Sequence, residues 1–416
     1  MHAPADPPQL AACRYCASAS LTRVLSLGPQ PPSNSFLREE DIGTEQRYPL
    51  DLVVCESCCL AQLGYAVPPE LIFDDYLYLS SSSEPLRRHY GNLASDLTAA
   101  YGLGAGDLVV DIGCNDGILL KEFAPALSRV GVEPSRVAEV ARQSGLEVVR
   151  SFFGLDAAHT IVDRHGTAKL VTATNVFAHV PDIDGFVAGL GPLLGEHGVF
   201  VFEASYLPDL IDGCLFDTIY HEHVFYLALT PLIPFLRRHG LRPIDARRVP
   251  FGASGPAFRV AIVPEASARA VGPGVGQMLE DEGQRGIAEP ATYEHFAETV
   301  RHTRDQLLSL IRRATESGAP IAGYGAPAKG NTLLNYLGLD RSHVMFIADR
   351  NTMKQGLVTP GSHIPVVSEE RLLEVMPQHA LLLAWNYVEF FLQNSDYIRR
   401  GGRFIVPLPR PRLLPT

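Results

Sequence analysis

The sequence contains no apolar run approaching the roughly 20 residues that a bilayer-spanning helix needs. Its N-terminus, MHAPADPPQL, lacks the charged-then-apolar order of a secretory signal. These absences predict a cytoplasmic protein without a membrane partner. Basic residues are the minority, with 35 Lys and Arg against 46 Asp and Glu and a formal charge of -11. A chain of that sign repels a phosphate backbone unless one face is locally basic, so nucleic acid is not an expected partner. Cysteine is also scarce: seven in 416 residues are too few for a disulfide scaffold. Five of them crowd between Cys13 and Cys59, which points to a metal. No repeat at a solenoid or propeller period is visible, and the one biased stretch is PQPPSNSF in the first segment. At 46% hydrophobic and 19% charged, the chain is too apolar for disorder and too long for one ordinary core. Two or three folded domains are expected.

The first of these is read at residues 1–75, rich in Cys and Pro. Cys13 and Cys16 form one C-x-x-C pair, and Cys55 and Cys58 form another. Each pair can present two thiolates from a tight turn, and four sulfurs satisfy the tetrahedral preference of Zn(II). The alternative is a set of buried, spare cysteines. With all four positions filled no ligand place stays open, so the zinc is expected to be structural, stabilising a small domain without touching chemistry. From Leu103 to about Pro264, apolar runs such as DLVVDIG, SRVGVEP, AKLVTATNV and GVFVFEAS alternate with helical stretches, the pattern of a doubly wound parallel sheet. A charged helical region from about Gly272 to Gly318 precedes a second set of short aliphatic strands, PIAGYGA, HVMFIAD, HIPVVS, HALLLAW and GRFIVPL. The fold class is therefore α/β, with a central unit over residues 76–265 and a second Rossmann-like unit over 266–416.

DLVVDIGCNDG (107–117) is an apolar strand running into a glycine turn and then a helix. Gly113 and Gly117 let the backbone approach a ligand closely. A dinucleotide-binding turn would read G-x-G-x-x-G; here Asp111, Asn115 and Asp116 make the loop acidic, which suits a cationic or amino-acid-bearing ligand. The next strand ends at Glu133, where a carboxylate can accept both ribose hydroxyls of an adenosyl group. Strand, acidic turn and carboxylate together resemble the S-adenosylmethionine site of class I methyltransferases. The fourth strand delivers Asn175 and His179 to the same carboxyl edge, although His179 can equally be a core or capping residue. In the C-terminal unit, GYGAPAKGN (323–331) follows a strand and opens a helix. Its N–H groups, Tyr324, Lys329 and Asn331 form a candidate diphosphate contact, the alternative being a degenerate dinucleotide fold kept for packing.

The order of the segments CRYC, CESC, YLYLSSSS, DIGCNDG, NVFAHVPD, FDTIYHEHVFYLALTPL, GYGAPAKGNTLLNYLG and LAWNY resembles that of the sugar C-methyltransferases of antibiotic deoxysugar biosynthesis, over nearly the whole chain. The resemblance implies a zinc domain, a methyltransferase domain and a Rossmann-like domain, with a thymidine diphosphate-linked 4-keto deoxysugar bound between the last two. It implies methylation of the carbon beside the ketone, most often C-3 and in some members C-5. Its active-site positions fall on His179, Tyr220, Glu222 and His223, with Tyr76 or Tyr78 near the methyl group. Phe251–Arg259 departs from the family's usual histidine-diglycine-serine turn, and Arg259 is expected near the sugar.

Carbon methylation needs a carbanion equivalent. His223 is the candidate base, with a pKa near the working pH, Tyr220 the candidate donor to the developing oxyanion, and Glu222 the group that orients His223 or a sugar hydroxyl. In a regular strand, period two would put Tyr220 and Glu222 on one face and His221 and His223 on the other; convergence of Tyr220, Glu222 and His223 requires a turn. The alternatives are a polar strand end or a metal site built from the two histidines. At the level of function they are an O- or N-methyltransferase of the same fold, or a non-catalytic binding module. A monomer is expected.

Overall fold

The computed structural model describes residues 10–73, 79–82, 84–250, 255–316 and 320–415. Strands β1 (Leu21–Gln30), β2 (Tyr48–Cys55) and β3 (Ala61–Leu63) form an antiparallel sheet whose fourth strand, Phe225–Tyr226, comes from the middle of the chain. Ala61 pairs with Tyr226 and Gln62 with Phe225. The loop before β1 and the turn after β2 bring the cysteines together. Cys13 Sγ lies 3.6 Å from Cys58 Sγ, Cys16 Sγ lies 3.5 Å from Cys55 Sγ, and all four sulfurs are within 4.8 Å of one another. Four thiolates about 2.3 Å from a tetrahedral zinc stand about 3.8 Å apart, so the cluster fits that ion.

The central sheet contains β4 (Leu108–Ile112), β5 (Ser128–Val132), β6 (Glu147–Val149), β7 (Leu170–Thr174) and β8 (Val199–Ser205), all parallel, together with β10 (Leu241–Val249) and β11 (Ala257–Pro264) after the short β9 (Phe225–Tyr226) noted above. Its order is β10-β11-β8-β7-β4-β5-β6, with β11 antiparallel to β8 and β10 antiparallel to β11. Because helices cover both faces, the strands are apolar without alternation, and every residue of β4 is buried. The order reverses direction at β4, which lies between β5 and β7. That is the switch point where open α/β sheets leave a crevice at the strand ends.

The C-terminal sheet runs β14-β13-β12-β15-β16-β17, from β12 (Ile321–Tyr324), β13 (Val344–Ala348), β14 (Val366–Val367), β15 (His379–Leu382), β16 (Arg403–Val406) and β17 (Arg412–Leu414). All but β17 are parallel, and β12 is again a switch point, between β13 and β15. The proline-flanked β17 has no strand signal in its sequence and is held at the edge by Phe404, Ile405 and Val406, a position that tolerates neighbouring prolines. The charged linker forms two helices. Pro273–Gln284, although C-terminal to residue 265, packs on β10 and aims the buried Glu282 carboxylate at Leu229 N–H (2.7 Å) and Thr230 N–H (2.8 Å), opening the helix Leu229–Arg238 of the central unit. Pro290–Ala314 packs against β1.

One apolar core runs from Leu25, Leu50 and Leu52 through Phe216 and Ile219 to the C-terminal sheet; another joins Tyr15 and Cys55 to one face of the central sheet. The N-terminal sheet therefore packs on both larger units. Among the described residues no helix is long and apolar enough to cross a membrane.

One zinc per chain is expected in purified protein, with loss of the metal in Cys13→Ser. Chelation is expected to raise amide exchange in Phe225–Tyr226 together with Ala61–Leu63, since the metal holds the sheet that β9 closes. Unchanged protection in metal-free protein would show that closure of this sheet does not depend on zinc.

Candidate active site

The carboxyl ends of the central and C-terminal sheets open into one cavity of about 920 Å³. Gly113 and Asn115 reach it from the end of β4, Glu133 from β5, and Asn175 and His179 from β7. Gly113 has φ +68°, and a Cβ there would stand 2.3 Å from Val176, so only glycine fits the turn. Asn115 and Asn175 also have positive φ, 50° and 57°, which asparagine tolerates better than most residues. The Asn115 side chain accepts the Ser80 N–H at 3.0 Å, drawing the serine segment over the turn.

Glu133 accepts Asn115 N–H on Oε2 and Ser135 N–H on Oε1, each at 3.0 Å. These bonds fix the carboxylate, and each oxygen keeps a further lone pair for a hydroxyl. Phe152, Phe153 and Leu155 supply an apolar wall beside it. A carboxylate acceptor, a glycine turn and an apolar wall fit an adenosyl ligand. Asp111 lies outside this lining. It is buried, accepts the Thr172 hydroxyl at 2.7 Å, and burial lifts its carboxyl to about 7. Gly117 is also outside the lining; its φ is +78° and a Cβ there would stand 2.3 Å from Leu146.

The middle of the cavity is the segment Tyr220–His223. His223 N–H donates to the Tyr220 carbonyl at 2.9 Å, so the chain turns instead of continuing as a strand. Tyr220, Glu222 and His223 line the cavity, while His221 points away, its Nε2 3.3 Å from the carbonyls of Tyr48 and Pro49. The two histidines thus do not share a ligand. Among the described residues the four cysteines are the only group of three or more with metal-holding geometry.

His223 Nδ1 lies 2.7 Å from the Thr218 carbonyl, which can only accept. The proton is therefore on Nδ1, and Nε2 carries the lone pair. The Tyr220 and His179 rings lie 4.1 Å and 5.0 Å from that of His223. Burial pushes His223 down to about 4, opposed by the bond to Thr218. Burial, and then His223, push His179 well below the ordinary range. The expectation of a histidine near the working pH is thus corrected: burial among protein groups disfavours the charged ring, and both imidazoles are neutral.

The C-terminal unit closes the far side. Lys329, at the start of the helix Ala328–Leu337, lines the cavity, donates to Asn386 Oδ1 at 2.7 Å and sits 4.0 Å from the Trp385 ring centroid. Burial lowers it to about 8, so it is still mostly charged at neutral pH. Tyr324 and Asn331 do not reach the cavity. The Tyr324 hydroxyl donates to Glu369 while its ring packs on Phe391 and Phe404, and Asn331 donates to the Ser33 carbonyl at 2.7 Å. Arg259 is likewise committed elsewhere, to Glu203 at 2.6 Å and Asp96 at 3.2 Å. Tyr76, Tyr78 and residues 251–254 of the divergent loop lie outside the described residues.

Two lining residues have no local sequence signal. Asn34, in the Pro/Ser stretch of the first domain, donates to Glu222 Oε1 at 2.6 Å. Lys354 follows β13, donates to the Ala326 carbonyl at 2.8 Å and lies over the Phe36 ring. The N-terminal domain therefore borders the cavity as well as buttressing it.

The family described as “Putative zinc binding domain” matches residues 13–73, “Methyltransferase domain” matches 86–246, and “C-methyltransferase C-terminal domain” matches 253–409. C-methyltransferase NovU of Streptomyces niveus is 38% identical over 406 residues, 97% of this chain and 96% of its own. A ubiquinone biosynthesis O-methyltransferase of Colwellia psychrerythraea is 27% identical over 154 residues, 33% of this chain and 62% of its own. Among solved structures, an S-adenosylmethionine-dependent methyltransferase from Clostridium acetobutylicum aligns with 43% of this chain and 92% of its own, at 12% identity and a TM-score of 0.33.

Because His223 is held down to about 4, its imidazole is expected to stay neutral as pH falls through the usual histidine range and to gain its proton only near pH 4. Proton NMR of the imidazole C–H signals reads this directly. In kinetics, the acid limb assigned to His223 in kcat/KM is expected near pH 4. A midpoint near 6.5 in both would show that water reaches the ring.

Proposed function

Since the chain belongs to the S-adenosylmethionine-dependent C-methyltransferases, we propose that it methylates C-3, the carbon beside the ketone, of a thymidine diphosphate-linked 4-keto deoxysugar in natural-product sugar biosynthesis. The observation that carries this reading is the buried His223, with Nδ1–H tied to Thr218 and a basic Nε2 left for the cavity. Gly113, Asn115, Glu133 and Asn175 would hold the cofactor, which supplies an electrophilic methyl group when bound. The sugar nucleotide lies toward Lys329 in this reading, with its diphosphate on that ammonium.

A hydrogen beside a ketone leaves as a proton to His223 Nε2, and its electron pair moves onto the carbonyl oxygen as an enolate. An imidazole held at about 4 is a weak base. Transfer therefore depends on stabilisation of the product ions: the Tyr220 hydroxyl toward the oxyanion, the Thr218 carbonyl and the adjacent enolate toward the imidazolium. The enolate carbon would then be the nucleophile for the methyl group, whose bond to the sulfonium sulfur would break with its electron pair left on sulfur, and His223 would return its proton to solvent. In this reading Glu222, held by Asn34, accepts from a sugar hydroxyl.

The test is product NMR after incubation with S-adenosylmethionine and a thymidine diphosphate-linked 4-keto-6-deoxy sugar. A new methyl signal on carbon is expected; a singlet in the heteroatom range would instead show O- or N-methylation. His223→Asn is expected to bind both ligands while turnover falls by roughly a hundred- to ten-thousandfold, and near-normal turnover would remove His223 from the base role. Glu133→Ala is expected to weaken S-adenosylmethionine about ten- to a hundredfold, the loss of a charge-assisted bond of roughly 1.5–3 kcal/mol. Calorimetry should find sugar-nucleotide affinity little changed; equal losses for both ligands would make Glu133 a structural residue.

A further inference from the structure

A buried carboxylate and the chain's single tryptophan have no part in the chemistry above. Asp217 lies in the short turn Phe216–Thr218 and is 0% exposed. Its Oδ2 accepts the Trp385 indole N–H at 2.6 Å, across the junction between the central and C-terminal units. Burial lifts the carboxyl to about 6 against the pull of Lys329, which holds it down. The face of the same indole lies 4.0 Å from the Lys329 ammonium, and the next residue, Asn386, accepts a hydrogen bond from that ammonium. The turn that carries Asp217 also supplies the Thr218 carbonyl that fixes His223 Nδ1–H. Contacts thus run without a break from Lys329 through Trp385, Asp217 and Thr218 to the imidazole.

We propose that Trp385 is a positioning residue whose indole, held between the Lys329 ammonium and the Asp217 carboxylate, couples occupation of the anion end of the cavity to the placement of His223. The inference rests on the reading of Lys329 as the diphosphate contact and His223 as the base. An anion that pairs with Lys329 draws the ammonium toward itself and away from the ring face and from Asn386. Asn386 and Trp385 are neighbours in one tight turn, Trp385–Tyr387, so movement there reaches the indole N–H and the Asp217 turn. The base is thereby set in place when the sugar nucleotide is fully seated.

Because Trp385 is the one tryptophan, its fluorescence reports the first half of this coupling without turnover. In wild-type holoenzyme saturated with S-adenosylhomocysteine, thymidine diphosphate is expected to change the emission as it binds. Trp385→Phe keeps a ring in place and removes the N–H. It is expected to hold thymidine diphosphate affinity and KM within about threefold of wild type while kcat falls about ten- to a hundredfold, the size of effect that misplacing a reacting group produces. In ¹⁵N-histidine spectra of the same variant, the His223 Nδ1 signal should no longer shift when thymidine diphosphate is added. Asp217→Asn, which still offers the indole an acceptor, should lose less kcat than Asp217→Leu. Wild-type kcat in Trp385→Phe, or losses in all three variants that simply follow falling thermal stability, would overturn the coupling. Thymidine diphosphate that binds by calorimetry without moving the emission overturns it too, while the substrate reading stands. Absence of binding in the wild type sinks the substrate reading, and the coupling with it.

Discussion

The structure turns on the cost of burying a polar loop. Residues 216–229 are buried without interruption, and Asp217, Thr218, Tyr220, His221, Glu222 and His223 lie in the first eight positions. Each unpaired polar group in such a place costs roughly 1–3 kcal/mol, and a segment with so little regular structure cannot pair them all within itself. Partners come from every unit. Asn34 meets Glu222, the carbonyls of Tyr48 and Pro49 meet His221, Trp385 meets Asp217, and the loop's own Thr218 meets His223. The loop is ordered because three folded bodies close around it, and those bodies are held together partly by what they contribute to it.

This gives the zinc domain a more direct part than a stabilising appendage. Its three-stranded sheet is finished by β9, which begins two residues after His223, so the geometry of the cysteine cluster passes through β2 and β3 to the end of the buried loop. A sheet this small has little core of its own, and the metal ties residues 13–16 to residues 55–58 where more apolar area would otherwise be needed. The distinction between a structural metal and a metal that matters for chemistry is therefore blurred here: the cysteine cluster lies outside the cavity lining, yet it braces the wall that carries His223, the proposed base.

Much of this was legible in the sequence where a local pattern has a single physical meaning. Paired C-x-x-C spacings encode a tetrahedral site, and aliphatic strands ending in glycine or carboxylate encode the two crevices, since those features depend on neighbours along the chain. Side-chain direction was harder. Tyr324, Lys329 and Asn331 read as one anion-binding loop, but Tyr324 is the last residue of a strand and faces the core. Lys329 and Asn331, two positions apart on a helix, point about 200° from one another, so only the lysine meets the cavity. Periodicity alone would have separated Tyr220 from His223; the turn that joins them was inferred from resemblance. Asn34 and Lys354 were invisible because their roles arise from packing between segments far from the loop along the chain, and no local rule reaches that far. The His223 pKa was misjudged for the same reason, as closure of the cavity is a property of three domains at once.

That closure also decides how the proposed chemistry has to work. Burial takes the His223 imidazole down to about 4, which by itself makes it a poorer base for a carbon acid. In the same low-dielectric surroundings every charge and dipole aimed at the developing oxyanion acts more strongly than it would in water. A weaker base and a stronger oxyanion site are thus two results of one burial, and the reaction gains only if the second exceeds the first. That condition holds when donors and acceptors are already in place before the proton moves, because reorganising dipoles during the step would forfeit the advantage. The Thr218 carbonyl behind His223, Asn34 behind Glu222 and Trp385 behind Asp217 are such fixed partners. In the proposed chemistry, pre-organisation across three domains therefore substitutes for basicity, a condition that the methyltransferase sheet alone would not meet.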